Sequence, residues 1–188
     1  MLGGEERRLV LTELSPQRGF NIIEVMVVVA VLAIVIGLAV PNFAEWTQNQ
    51  RIRVAADAMQ NGFQIARAEA VRRNLPVQLV VGPGSGWTVA EAVSGTAVQS
   101  RSQEEGTLGI NVTPTPPGAS VTTFSPIGGV MPNIDGTPTL QDVDIDNPAG
   151  GTCQTAGGPM RCLTVRVTGG GSIRLCDRKV SAPDPRAC

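Results

Sequence analysis

The stretch RGFNIIEVMVVVAVLAIVIGLAVP, Arg18 to Pro41, decides how the chain folds. From Phe20 to Val40 run 21 residues of which only Asn21 and Glu24 are strongly polar. At ~1.5 Å of rise per residue, a helix of that length covers the roughly 30 Å of a bilayer core. A cleavable secretory signal has an apolar stretch of roughly 7–15 residues before a small-residue cut. This run is longer, and Pro41 stands where that cut would fall. A plain signal anchor is the other bland reading, with Glu24 incidental. A carboxylate inside a membrane helix costs on the order of 2–3 kcal/mol and usually has a partner or a function. Glu24 lies one turn from the start, where that cost is smaller. A cut between Gly19 and Phe20 would create a cationic α-amine four residues from Glu24. An amine from a staggered neighbour would turn neutralisation into selection of register.

Beyond Pro41 the pattern becomes amphipathic. Ile52, Ala55, Met59, Phe63, Ala66 and Ala70 recur at steps of three and four, with Arg51, Asp57, Gln60, Gln64 and Arg67 elsewhere on the wheel. Asn74-Leu75-Pro76 stops the helix, because proline disfavours α geometry in the residue before it. Pro41 inside so long a pattern predicts a kink, not an end. The Met59/Phe63 stripe reads as a face packed on a sheet, not as a ligand groove.

The rest of the chain reads as β structure rich in turns. Of 188 residues, 22 are Gly and 14 Pro, and both concentrate after residue 74. Val77–Val81, Trp87–Val93, Val121–Phe124 and Ile127–Met131 are expected strands, with residues 94–118 as a long loop. The glycine-rich turn 82–86 lacks the Lys-Ser/Thr and following helix of a phosphate cradle. Asp142, Asp144 and Asp146 alternate onto one strand face. An EF-hand loop would need Gly at 147 and Glu at 153, where Asn147 and Cys153 stand. A solvated strand face is the better expectation. Cys162–Val167 and Ile173–Cys176 form the clearest hairpin, with Leu163, Val165, Val167, Ile173 and Leu175 facing the helix and Arg166 and Arg174 outward.

Net charge is −1, and there is no His and no Tyr. With the commonest general base and metal ligand absent, no nucleophile–base pair and no metal cluster stand out, so an enzyme, a metal site and a cofactor are not expected. Cys153, Cys162, Cys176 and Cys188 contain no C-x-x-C pair, which argues against zinc and redox catalysis. An even count behind a membrane anchor fits structural disulfides. Neighbour pairing, 153–162 and 176–188, competes with a 162–176 link across the hairpin.

Gly19-Phe20-Asn21-Ile22-Ile23-Glu24-Val25 resembles the class III signal of type IV pilins and type II secretion pseudopilins, usually Gly-Phe-Thr-Leu-Ile-Glu. Arg18 and Pro41 match positions usual there, and Asn21 departs from the usual Thr. Residues 67–77, "Val-Thr-Thr-Phe-Ser-Pro-Ile-Gly-Gly" and "Gly-Ser-Ile-Arg-Leu-Cys-Asp" extend the resemblance to the FimT/FimU/GspH subfamily, across nearly the whole chain. It is weakest over 94–118 and 132–160.

The resemblance implies an α+β fold, a long kinked helix packed on an antiparallel sheet. It divides the chain into a cleaved leader (1–19), a transmembrane and filament-core half-helix (20–46), an amphipathic half (47–75) and a β-rich head (76–188). A prepilin peptidase would cut after Gly19 and methylate Phe20. Glu24 would meet the amine of the adjacent subunit. The leader holds three Arg and three Glu and is long for the family.

The implied function is that of a minor pilin that primes a type IV pilus or sits near its tip. The implied alternative is the H-type minor pseudopilin of type II secretion. Partners would be other pilins or pseudopilins, the peptidase and the assembly platform of the bacterial inner membrane, with a periplasmic head. DNA capture is a third reading from the same family, where a Gly-Arg-x-Arg motif contributes. Here Gly171-Ser172-Ile173-Arg174 lacks the first Arg, leaving Arg166, Arg174, Arg178 and Lys179 as candidate phosphate contacts. No aromatic residue interleaves them to stack bases, so a solvated strand face is the stronger expectation.

Overall fold

A computed structural model describes residues 19–188 apart from Gly106. The expected leader therefore lies outside the described residues except for Gly19. The first element is helix α1, Ile22–Arg73. Contacts divide the chain into two compact units, with the boundary between Val40 and Pro41.

In the first unit, α1 is built mainly from Val and Ile, residues that are mediocre helix formers in water. In a bilayer the ranking matters little, because only a helix satisfies every backbone group within one segment. The helical backbone continues through Pro41. Proline does not end α1.

The second unit has its own core. The remainder of α1 shares that core with strands β1 (Val77–Val81), β2 (Trp87–Glu91), β3 (Ala97–Arg101), β4 (Asn111–Thr115), β5 (Val121–Phe124), β6 (Val130–Met131), β7 (Asp142–Asp146), β8 (Leu163–Val167) and β9 (Ile173–Asp177). They form two sheets, ordered β3-β2-β1-β5-β6 and β4-β7-β8-β9, antiparallel throughout. Ile52, Ala55, Met59, Phe63, Ala66 and Ala70 are fully buried, as their spacing predicts. Gly62 lets the helix approach β2. A Cβ there would stand 2.8 Å from the Trp87 ring, and Trp87 Nε1–H donates to the Ala58 carbonyl at 3.1 Å.

The helix ends by a cap that the Pro76 argument does not include. Asn74 adopts φ 54, Leu75 N–H donates to the Ala70 carbonyl and Asn74 N–H to that of Val71. That pairing is the Schellman pattern, and Asn is the commonest substitute for Gly in it.

Three expectations change. Residues 94–118 are not one loop but carry β3 and β4. Both are edge strands, exposed at most positions, and Pro114 is tolerable because an edge leaves one side of the ladder unused. Strand β2 stops at Glu91, where Gly95 N–H donates back to the Glu91 carbonyl in the turn toward β3. Strand β6 is only Val130–Met131, and Ile127 lies in the preceding turn, 91% exposed.

Candidate assembly site

Gly19, Phe20 and Asn21 precede the helix and are exposed. The peptide bond between Gly19 and Phe20 therefore lies in unwound, accessible chain. Asn21 Oδ1 accepts the Ile23 N–H at 3.4 Å, the bond of an N-cap. Asn and Thr share this capability, which gives Asn21 a physical reason to stand where the related signal has Thr. Glu24 falls in the first turn, three residues after the cap. There a carboxylate is favoured by the helix dipole and by capping-box spacing. The position thus suits a local role besides any partner.

Every described side chain from Phe20 to Val40 is exposed. The most apolar window of α1 has a mean hydropathy of 3.0 and no buried part. A helix apolar on all sides needs lipid or neighbouring helices around it.

The basic residues singled out in the head lie together around the outer face of the β7–β8–β9 sheet, largely committed. Arg166 grips Asp142 through two bonds, Nε to Oδ1 at 2.8 Å and Nη2 to Oδ2 at 3.1 Å. It also donates to the Cys188 carbonyl. Arg178 pairs with Asp144 at 3.3 Å, and Thr164 donates to the same aspartate at 2.5 Å. Asn111 reaches Asp146 at 3.4 Å. The three aspartates are therefore engaged by cross-strand partners, not simply solvated. Arg174 donates to the Pro185 carbonyl at 3.0 Å. Lys179 is exposed. The face that would meet phosphates holds acid and base nearly in balance.

Cys153 and Cys162 form a disulfide, which removes the Cys162–Cys176 alternative. Cys176 and Cys188 are unbonded thiols, hydrogen-bonded to each other. Here the structure departs from the expectation of two disulfides. Main-chain and arginine contacts also bring the tail to β9, with Asp177 N–H donating to the Arg186 carbonyl at 2.8 Å and Arg174 to that of Pro185. Burial and the neighbouring thiol push the Cys176 thiol up to about 11.

Sequence reasoning missed Arg53, Arg161 and Arg186, which line a groove with Leu175 and Asp177. They are scattered over more than a hundred positions, and no spacing could have united them.

Comparison with known proteins places these features in a family context. The family described as "Type II transport protein GspH" matches residues 55–182. The "Prokaryotic N-terminal methylation motif" matches residues 14–40. Two crystal forms of the Pseudomonas aeruginosa type IV minor pilin FimU are similar in fold, each at 18% identity. One has a TM-score of 0.53, covering 69% of this chain and 91% of that one. The other has a TM-score of 0.50, covering 65% and 90%. No curated protein matches the chain.

Proposed function

The chain belongs to the GspH family, and from that premise we propose that it is a minor subunit of a type IV pilus, incorporated in few copies to prime assembly or to stand near the tip. The observation that carries this is the junction at Glu24. An exposed, uniformly apolar helix begins there with a carboxylate in its first turn, directly after the accessible Gly19–Phe20 bond. Hydrolysis of that bond by a prepilin peptidase frees the α-amine of Phe20, which is then methylated. The amine of one subunit neutralises Glu24 of its neighbour as helices leave the inner membrane through the assembly platform. Pro41, with no N–H to give to the ladder, leaves one helical hydrogen bond unmade where the spanning segment ends.

A second reading has its own support. The matching family is described by type II transport, so the same subunit would serve as the H-type minor pseudopilin of a short periplasmic filament. Immunoblotting of filaments sheared from intact cells, with the shorn cells probed alongside, separates the two. Protein in the sheared fraction, free of outer-membrane marker, is the result expected of a pilus subunit. Full retention in cells whose major pilin shears normally would favour the pseudopilus.

A further inference from the structure

Phe43 and Trp46 are large apolar side chains that the head does not use. They are 65% and 57% exposed, although both belong to the same compact unit as the head. Three residues apart on α1, they share one helix face. Their ring centroids lie 5.7 Å apart, within the range of a favourable aromatic pair. At ~3.6 residues per turn, the buried stripe that starts at Ile52 occupies nearly the opposite side of the helix. Folding of the head therefore gives no reason for two aromatic groups here. The other tryptophan makes the contrast plain. Trp87 is 3% exposed and its indole N–H is bonded to the Ala58 carbonyl, whereas that of Trp46 meets no acceptor among the described residues.

Their place along the chain supplies the reason. No charged residue stands between Glu24 and Glu45. Counted as helical rise from Glu24 at ~1.5 Å per residue, Phe43 comes at about 28 Å and Trp46 at about 33 Å. The hydrocarbon core of a bilayer is roughly 30 Å thick. A carboxylate at one boundary thus puts the aromatic pair across the other. Directly afterwards the head takes hold of the helix. Gln48 accepts the Asn147 Nδ2–H at 2.6 Å, and Asn49 accepts the Arg161 N–H at 2.7 Å.

We propose that Phe43 and Trp46 form an interfacial anchor, seated where acyl chains give way to headgroups in the leaflet nearer the head. The ring bodies lie among the upper acyl carbons, and the free indole N–H of Trp46 donates to glycerol ester carbonyls or to the water beside them. Amphipathic rings favour that level because one end is apolar and the other can be hydrogen-bonded. The pair holds the helix at a set depth, since interfacial side chains resist the sliding that a bilayer of different thickness would otherwise impose. The anchor rests on the reading that the apolar segment spans the membrane, and adds to it the residues that fix the depth.

The test reads Trp46 fluorescence from the full chain in phosphatidylcholine vesicles of short, intermediate or long acyl chains. Each host is doped with lipid that carries a nitroxide either close to the ester or close to the chain end. The signal of Trp46→Phe, an exposed substitution that keeps the buried Trp87, is subtracted. Flotation of the vesicles in alkaline buffer reports insertion separately. The nitroxide near the ester should quench Trp46 about twofold more than the one near the chain end, in every host. A chain that floats while this preference vanishes in the thin host or reverses in the thick one moves passively with the helix, which overturns the anchor and leaves the span standing. A chain left behind by the vesicles overturns both.

Discussion

Glu24 is suited to two roles that a single substitution confounds. Its position three residues after the Asn21 cap suits a capping box, and its charge suits pairing with a neighbour's amine. Glu24→Gln keeps the capping geometry and removes the charge, whereas Glu24→Ala removes both. If charge governs assembly, both variants should be membrane-inserted and processed, and both should be incorporated poorly into filaments. Filaments containing normal amounts of the Gln variant would reassign Glu24 to the cap. The thiols at the other end of the chain make a second residue-scale prediction. Cys188 is exposed while Cys176 is buried, its thiol pushed up to about 11. The thiolate is the reactive form, so iodoacetamide should modify Cys188 first and Cys176 only on unfolding. Glutathione disulfide should join the two by thiol–disulfide exchange, releasing two glutathione thiols. Both cysteines remaining open to alkylation after that treatment would show that their contact does not lead to a bond.

Among the elements, the end of α1 is tied to β2 by charge. Glu69 accepts from Arg72 and Arg73, and Arg73 continues to Glu91 at 2.9 Å. The hydrogen bonds from Arg72 and then Arg73 bring the Glu69 carboxyl down from 4.5 to about 2. A carboxyl depressed by folding adds stability that is full above its unfolded value and disappears as pH falls through the folded one. The link should therefore weaken as pH drops from about 4.5 toward 2, and Glu69→Gln should flatten the stability profile over that window in denaturant titrations. A profile with unchanged slope would show that the cluster is solvated too well to matter. Elements of this kind also mark how far the sequence could be read. The buried helix stripe and the β8–β9 hairpin were legible because alternate or stepped positions are apolar and face one core. Strands β3 and β4 were not, because they lie at sheet edges, expose most of their side chains and, in β4, include a proline. The cysteine pairing was half legible, since spacing leaves three connectivities and only the fold brings Cys153 to Cys162. The groove along β9 was invisible, because Arg53 and Arg186 come together only through tertiary packing.

At the scale of the molecule, the two units place opposite demands on solvent. The segment up to Val40 exposes an apolar surface on all sides and has no core of its own among the described residues. From Pro41 onward the chain contains the buried helix face, both sheets and the disulfide, so the whole core lies on one side of that boundary. A fragment spanning residues 41–188 should consequently be soluble without detergent. It should sediment as a monomer and unfold in one cooperative transition, as single domains of this size usually do. Because no described residue before Pro41 contributes a core side chain, its midpoint in denaturant should match that of the head within the full chain in micelles. A fragment that aggregates, or that melts well below the head of the intact protein, would mean that the apolar segment supports the head as well as anchoring it. Retention of the midpoint would assign the segment to membrane and filament alone, and would leave the head free to bind partners by its own surfaces.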